Sequence, residues 1–254
     1  MANNNHEFAF YLANLSSISK SLTTGCELCI EDKKIFHRIN KVLRLKLGET
    51  YILFDRSINI KLSLKSFDKK KYIIGTIVTK NKNIALSPKI TFLLPLLKRE
   101  QFESAIYSLV ELGAQVIQPI RTKKTSIKWD KKKSHLRYHN IIISAAEQSK
   151  NFLFPDFLEP EPFESYINNN TLENFQKIYF DPYGENLSDI IEKIKSGDHK
   201  NIMLMSGPEG DLTEKEKIAL KKKGFIFCKL TPTVLRSFQS ITIGLGAFRS
   251  LLSN

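Results

Sequence analysis

From Pro88 onward, short apolar runs alternate with amphipathic stretches, and this alternation constrains the fold more than any other feature of the chain. Runs such as "KITFLLPLL" (89–97) and "NIMLMSG" (201–207) are almost continuously apolar, which is typical of strands buried on both faces of a parallel sheet. Amphipathic stretches that end at Gly113 and Gly197 predict the intervening helices. The sequence therefore predicts an α/β fold with a helix-covered parallel sheet.

Residues 5–80 follow a different pattern. Short runs with polar alternation predict several strands, and one stretch predicts a helix over residues 33–47 that ends at Gly48. This combination is typical of a small β-barrel-like domain. The polar segment "TKNKN" (79–83) predicts a connector. We therefore expect a first domain over residues 1–80 and a second over residues 81–254.

The chain is strongly basic. It has 39 Lys and Arg against 26 Asp and Glu, a formal net charge of +13. A surplus of this size favours an anionic partner, with nucleic acid ahead of a membrane surface, and a merely solvated basic surface is the alternative. No apolar run approaches the roughly 20 residues that span a bilayer, so we expect no membrane partner.

The cysteines and the N-terminal residues indicate the cellular compartment and whether a metal site is expected. Cys26 and Cys29 have CxxC spacing, but no second pair completes a zinc site, so no metal centre is predicted. The sequence begins without a basic leader and apolar core of the kind that exports proteins. We therefore expect a cytoplasmic protein with reduced cysteines.

Three predicted strands end in loops that could receive a ligand, since ligands of open parallel sheets bind beyond the carboxyl ends of the strands. These loops are "FDPYGEN" (180–186), "SGPEGD" (206–211) and "KLTPTVLRS" (229–237). The middle loop lacks the motifs of phosphate loops and of dinucleotide sites. Gly207 and Gly210 allow close backbone approach, and Thr213 with Glu216 predicts a capping box. This favours a ligand held by backbone groups, such as an adenine or an amino-acid moiety, with a plain turn as the alternative.

The last helix is predicted over residues 233–252. Arg236 then lies in its first turn, where a cation opposes the helix dipole, which suggests an anionic partner, while a solvent-facing side chain stays the default interpretation. Ser240, Gly244 and Ala247 recur at helical spacing. Since a glycine inside a helix costs about 1 kcal/mol relative to alanine, we expect this small-residue face to pack closely, for instance on the same helix of a second subunit.

Several of these segments match one known family. "GPEGDLTEKE" and "LTPTVLRS" resemble the signature loops of the SPOUT methyltransferases, specifically the RsmE family. "HRINKVLRLKLGE" (37–49), "LVELGAQVIQPIRTKKTS" (109–126) and "AAEQSKNFLFP" (145–155) are similar to further motifs of that family, so the resemblance covers nearly the whole chain. The family methylates N3 of a uridine in small-subunit ribosomal RNA with S-adenosylmethionine as cofactor.

The resemblance implies a parallel sheet with a C-terminal trefoil knot, a PUA-like RNA-binding domain at the N-terminus and a homodimer. Its substrate would be small-subunit ribosomal RNA or the assembled subunit. Carried over by position, the cofactor-binding residues are Phe180, Gly207, Glu209, Gly210, Leu230, Thr231, Val234 and Leu235. Arg236 is the expected catalytic residue, because it could stabilise negative charge on the uracil ring.

The residues expected to bind RNA are all basic, and most lie in the first domain. Phosphate contacts of this kind position the RNA without specifying a base, and a solvated helix face is the alternative reading. Lys124 and Lys150 are expected to replace a family arginine at Asn151. The full set is His37, Arg38, Lys41, Arg44, Lys124 and Lys150.

The chain departs from the family at several positions. Asp211 and Thr231 stand where glycine is usual, and Phe238 where the family has glutamate. Thr231 is expected to narrow the cofactor pocket. Two alternatives therefore stay open: a catalytically silent ribosome-assembly or RNA-binding protein of this fold, and a methyltransferase of this fold that acts on another RNA base.

The general base is not identified by these motifs. Glu147 is the nearest acidic residue in a family motif, and a carboxylate that only binds a neighbouring backbone group or lysine is the alternative.

Overall fold

The computed structural model describes residues 7–68, 72–125, 129–169, 172–197 and 201–252. They divide into two compact units. The N-terminal unit comprises Met1–Ile84 together with Ala146–Leu153, and the C-terminal unit comprises Ala85–Ala145 and Phe154–Asn254. The segment 146–153 therefore groups with the N-terminal unit although it lies far along the sequence.

The N-terminal unit contains a mixed sheet with strand order β1-β3-β4-β5-β2, in which only the β1–β3 pair is parallel. Alternation explains its core: Ile60, Leu62 and Leu64 point inward from one strand and are buried. The strands predicted from the runs "EFAFYL", "TYILFD", "INIKLSLKSF" and "KYIIGTIV" are confirmed, whereas strand β2 and helix α1 were missed. The elements are β1 (Phe8–Tyr11), α1 (Leu15–Ile18), β2 (Glu27–Ile30), α2 (Lys33–His37), β3 (Thr50–Phe54), β4 (Ile58–Phe67) and β5 (Ile73–Lys82).

Two details of this unit differ from the sequence prediction. The predicted connector at residues 79–83 is largely strand, because β5 continues to Lys82 in register with β4. The predicted helix over residues 33–47 ends early: a π-helical turn, Arg38–Val42, follows α2, and Arg44 then has a φ of 53°. Leu43 and Leu45 both pack on the core, which two residues so spaced could not do in a continuing helix.

The C-terminal unit is built on a parallel sheet with strand order β12-β10-β11-β6-β7-β8, and a further short strand, β9, also pairs with β7. The predicted α/β class is therefore confirmed. The strands are β6 (Lys89–Pro95), β7 (Val116–Arg121), β8 (Asp156–Phe157), β9 (Glu161–Pro162), β10 (Gln176–Asn186), β11 (Asn201–Ser206) and β12 (Ile226–Lys229). The helices are α3 (Arg99–Glu111), α4 (Lys131–Ser149), α5 (Phe163–Asn169), α6 (Leu187–Lys195), α7 (Glu214–Lys222) and α8 (Ser237–Leu252).

The last helix begins later than predicted. Residues 230–236 form a loop in which the Thr231 hydroxyl donates to the Thr233 carbonyl at 2.7 Å. The Arg236 carbonyl then accepts from the Ser240 amide at 2.9 Å, so Arg236 precedes α8 instead of lying in its first turn. The predicted start of the helix was therefore wrong, although Arg236 still lies next to the N-terminus of α8.

The small-residue face of α8 packs tightly, as expected, but within its own chain. A Cβ at Gly244 would lie 2.3 Å from the ring of Phe180 in β10. That ring is buried and packs beside Phe92 and Phe248, with centroids 6.3 and 6.0 Å away. The expectation that Gly244 meets a second subunit is therefore wrong, because β10 fills that space.

The described part of the chain contains neither a candidate membrane span nor a candidate metal cluster. In the part of the chain that the structure describes, no helix is long and apolar enough to cross a membrane. Within the same ranges, no group of three or more His, Cys, Asp or Glu side chains is arranged to hold a metal ion. Cys26 and Cys29 are free thiols.

A substitution at Gly244 tests this packing. We expect Gly244→Ala to destabilise the protein by about 1–3 kcal/mol, because the added methyl group overlaps a buried ring that has little room to move. The matched control is Gly246→Ala, whose Cβ would lie 3.7 Å from Leu112, an ordinary contact. Thermal unfolding of both variants makes the comparison, and an equal midpoint for the two would contradict the packing argument.

Candidate functional site

The carboxyl ends of three neighbouring strands meet at one cavity. The parallel register places Phe180 of β10 beside Ser206 of β11 on one side and Cys228 of β12 on the other. The loops that follow these residues enclose about 350 Å³. The lining residues are Gln101, Phe180, Asp181, Pro182, Ser206, Gly207, Pro208, Glu209, Asp211, Cys228, Leu230, Thr231, Thr233, Val234, Leu235, Arg236, Ser237 and Ser240.

The first loop is a bulge in β10. The pairing of β10 with β12 shifts register between Phe180 and Glu185. Gly184 makes this possible, since a Cβ there would lie 2.4 Å from the Phe227 carbonyl group. The bulge is fixed at its start, because the Asp181 carboxylate accepts from the Tyr183 amide at 2.9 Å. The result is a buried carboxylate, Asp181, at the cavity wall.

In the second loop, Gly207 and Asp211 approach each other closely. A Cβ at Gly207 would lie 2.7 Å from Asp211 Oδ1 and 2.9 Å from the Tyr179 hydroxyl. Asp211 itself has a φ of 55°, a conformation that glycine adopts more readily. Its Oδ1 accepts from the Tyr179 hydroxyl at 2.6 Å and from the Leu212 amide at 2.7 Å. These bonds hold an aspartate where the resemblance expects glycine.

Lys217 of α7 links the first two loops. Its Nζ lies 2.8 Å from Asp181 Oδ2 and 2.7 Å from Asp211 Oδ2. Burial acts to lower the pKa of Lys217, but the bonds to the two carboxylates outweigh it and raise the pKa. Burial acts to raise the pKa of Asp211, and the bonds from Lys217, Tyr179 and the Leu212 amide outweigh it in the opposite direction. Lys217 and Asp211 are therefore both charged at neutral pH.

The predicted capping box is confirmed, and its glutamate also accepts a hydrogen bond from another segment of the chain. Thr213 caps α7 reciprocally with Glu216, whose carboxylate is buried. Glu216 Oε1 also accepts from the Lys123 amide at 2.8 Å. The adjacent Lys124 donates its Nζ to the Gly210 carbonyl at 2.6 Å. Lys124, which was expected to contact RNA, is bonded in this structure to the backbone of the second loop.

The remaining cofactor residues of the sequence prediction fall at the cavity, with one exception. Glu209 lines it, and its exposed side chain accepts from the Lys98 amide at 3.0 Å. Thr231 also lines it, with its hydroxyl turned to its own loop. Gly210 lies next to the lining residues and is exposed. Arg236 lines the cavity with an exposed side chain.

In the N-terminal unit, the basic residues divide into two groups. Arg38 is engaged: its Nη1 lies 2.8 Å from Glu147 Oε2, and its guanidinium stacks 4.7 Å from the centre of the Phe10 ring. Glu147 also accepts from the Tyr11 amide at 3.0 Å, so the interpretation of Glu147 as a structural carboxylate is supported over a general base. The exposed group is His37, Lys41, Arg44 and Lys150.

Two contributors to the site were missed by sequence reasoning. The sequence analysis assigns no role to Tyr179 or to Lys217. Lys217 lies 36 residues from Asp181 and Tyr179 lies 32 residues from Asp211. No local motif marks either residue, because their partners lie on other elements.

Comparison with protein families gives one match over most of the chain. A family model described as an RNA methyltransferase domain matches residues 85–243. This range includes all three loops of the cavity.

Curated relatives and solved structures extend the similarity to the N-terminal unit. The chain is 28% identical to ribosomal RNA small subunit methyltransferase E of Bacillus subtilis over 213 residues, which are 79% of this chain and 81% of the relative. It is 26% identical to ribosomal RNA small subunit methyltransferase E 2 of Borreliella burgdorferi, over 93% of this chain and 97% of that one. A crystal structure of ribosomal RNA small subunit methyltransferase E from Neisseria gonorrhoeae, bound to S-adenosyl methionine, superposes with a TM-score of 0.79 at 23% identity and covers 98% of this chain and 99% of its own.

Proposed function

The chain belongs to the RNA methyltransferase domain family, and we propose that it transfers the methyl group of S-adenosylmethionine to N3 of a uridine in small-subunit ribosomal RNA. The observation that carries this proposal is the cavity at the ends of β10, β11 and β12. Its loops hold the motifs that resemble the RsmE family, and the curated relatives carry the name of a small-subunit methyltransferase.

The cavity suits an S-adenosylmethionine molecule. Its volume of about 350 Å³ is typical of small-molecule sites, which combine apolar walls with a few placed polar groups. Phe180, Leu230 and Leu235 supply apolar surface for an adenine ring, and Gly207 allows a ligand to approach the backbone closely. When bound, the cofactor supplies an electrophilic methyl group. The residues that would hold it are Phe180, Gly207, Glu209, Gly210, Leu230, Thr231, Val234 and Leu235.

We further propose the trefoil knot and the homodimer of the family. In support of the knot, β10 pairs with both β11 and β12, so the chain returns twice to the same strand before α8 packs on Phe180. In support of a dimer, Ile243 and Leu251 of α8 are exposed apolar side chains, and Ala247 lies midway between them on the same side of the helix.

The N-terminal unit is proposed to be a PUA-like domain that binds the RNA backbone. His37, Lys41, Arg44 and Lys150 are exposed and free to reach phosphates, whereas Arg38 is held by Glu147. Such contacts would fix the position of the RNA and leave the choice of base to the cavity. The proposed place of action is the cytoplasm, where ribosomal subunits are assembled.

Arg236 is proposed to act on the base. Uracil N3 must lose a weakly acidic proton before it can attack the methyl carbon, and the resulting anion spreads over the two ring oxygens. An arginine at the cavity wall can donate hydrogen bonds to such an oxygen, and this lowers the free energy of the transition state. Asp181 and Asp211 are already bound by Lys217, so neither carboxylate is assigned as the base.

Replacing Arg236 tests that role. We expect Arg236→Ala to lower kcat about 10²- to 10³-fold, as loss of one oxyanion donor does in other enzymes, while the Kd for S-adenosylmethionine changes little. Arg236→Lys is the matched variant, because it keeps the charge and loses the forked donor geometry. Single-turnover methylation and calorimetry give the two quantities. Normal methylation by the alanine variant would remove the proposed role.

Lys41 tests the RNA-binding surface. We expect Lys41→Ala to weaken RNA binding and to reduce the slope of log affinity against log salt by about 1, as loss of one phosphate contact does. The control is Lys20→Ala, because Lys20 is also an exposed lysine of the N-terminal unit but lies outside the π-helical turn that contains Lys41. Filter binding over a salt series would measure both. An unchanged slope for Lys41→Ala would show that the exposed lysine is only solvated.

The function itself is tested in two steps. Calorimetry with S-adenosylmethionine separates an enzyme from a catalytically silent RNA-binding protein, because a silent protein would bind none at millimolar cofactor. Mass spectrometry of ribosomal RNA from a deletion strain then identifies the product. We expect loss of one 3-methyluridine in the small-subunit RNA; loss of a different modified base instead would favour another target for the same fold.

A further inference from the structure

The charge of the cavity is opposite to that of the chain. The protein carries a formal net charge of +13. Yet the charged side chains that line the cavity, among the residues described, are three carboxylates and one guanidinium. These are Asp181, Glu209, Asp211 and Arg236. An acidic interior in a basic protein indicates that the ligand of the cavity differs in charge from the RNA.

Two of the carboxylates form a fixed group with Lys217. The formal charges of Asp181, Asp211 and Lys217 sum to −1, and the Tyr179 hydroxyl donates to Asp211 without adding charge. The side chains of Asp181 and Lys217 are 5% and 16% exposed, whereas that of Asp211 is 50% exposed. Salt therefore screens the buried pair less than it screens Asp211. The group presents a net negative charge to the cavity, and the part that Asp211 contributes depends on ionic strength.

We infer that Asp211, held by Lys217 and Tyr179, makes this cavity prefer a sulfonium cofactor over the neutral thioether that remains after methyl transfer. The inference rests on the proposed function. In that reaction the bond between sulfur and the methyl carbon breaks, its electron pair stays on sulfur, and the carbon bonds to N3, whose proton passes to solvent. The cofactor thus loses one positive charge, which a negative site distinguishes directly.

Asp211 is the residue to which this preference is assigned, because it is an added charge. The family resemblance expects glycine at this position, and glycine would adopt the φ of 55° with less strain. The chain instead keeps a carboxylate there, with hydrogen bonds to both of its oxygens. A residue that pays a conformational cost and lines the cavity is expected to contribute something that glycine cannot, and here that is the charge.

The test compares the Kd of S-adenosylmethionine with that of S-adenosylhomocysteine in the full-length protein. We expect Asp211→Asn to raise the Kd of S-adenosylmethionine about three- to tenfold and to leave that of S-adenosylhomocysteine nearly unchanged, so that the ratio Kd(S-adenosylhomocysteine)/Kd(S-adenosylmethionine) falls by that factor. Asp211→Gly should lower the ratio similarly. Asp189→Asn is the matched control, since Asp189 is exposed on α6 and does not line the cavity.

Salt gives a second, independent measurement. In the wild-type protein the ratio should fall as ionic strength rises, and in Asp211→Asn it should depend less on salt. An equal ratio in wild type and Asp211→Asn, with both ligands bound, would overturn this inference and leave the proposed function intact. Failure of the wild-type protein to bind either ligand would overturn both.

Discussion

The pairing of β10 with both of its neighbours is the constraint on which the C-terminal unit depends. Because β10 lies between β11 and β12 in parallel register, Phe180 is fixed beside Ser206 and Cys228, and three loops must leave the sheet at one place. Gly244 of α8 packs against the ring of Phe180. Phe180 therefore contributes both to the cavity wall and to the core under the last helix. A change in the packing of α8 on this ring would also change the cavity.

The loops at this cavity are held mainly by contacts from other elements. Lys217 reaches from α7 to Asp181 and Asp211, Glu216 reaches from the same helix to the Lys123 amide, and Lys124 returns to the Gly210 carbonyl. These bonds join segments that are dozens of residues apart. A loop fixed from several sides keeps its backbone groups in place before a ligand arrives, which lowers the ordering cost of binding.

How far the sequence predicts this molecule depends on the range of the interactions. Hydrophobic periodicity identified the long strands of the parallel sheet, and the Thr213–Glu216 spacing identified a cap, because both depend on near neighbours. The start of α8 was placed four residues early, since residues such as Leu235 continue the apolar pattern through a loop in which the Thr231 hydroxyl bonds the Thr233 carbonyl. The roles of Tyr179 and Lys217 arise only once β10, the second loop and α7 are folded together.

Electrostatic effects in this protein act over two different distances. The net charge of +13 acts over the whole molecule and attracts RNA, but salt limits its reach to about 8–10 Å at physiological ionic strength. The carboxylates of Asp181 and Asp211 act at the cavity wall over shorter distances, with Asp181 buried and Asp211 half exposed. A basic exterior and an acidic cavity therefore need not oppose each other. An anionic polymer is attracted to the surface, while a small cation is favoured at the cavity, and Asp211 strengthens the second effect while lowering the net charge by only one unit.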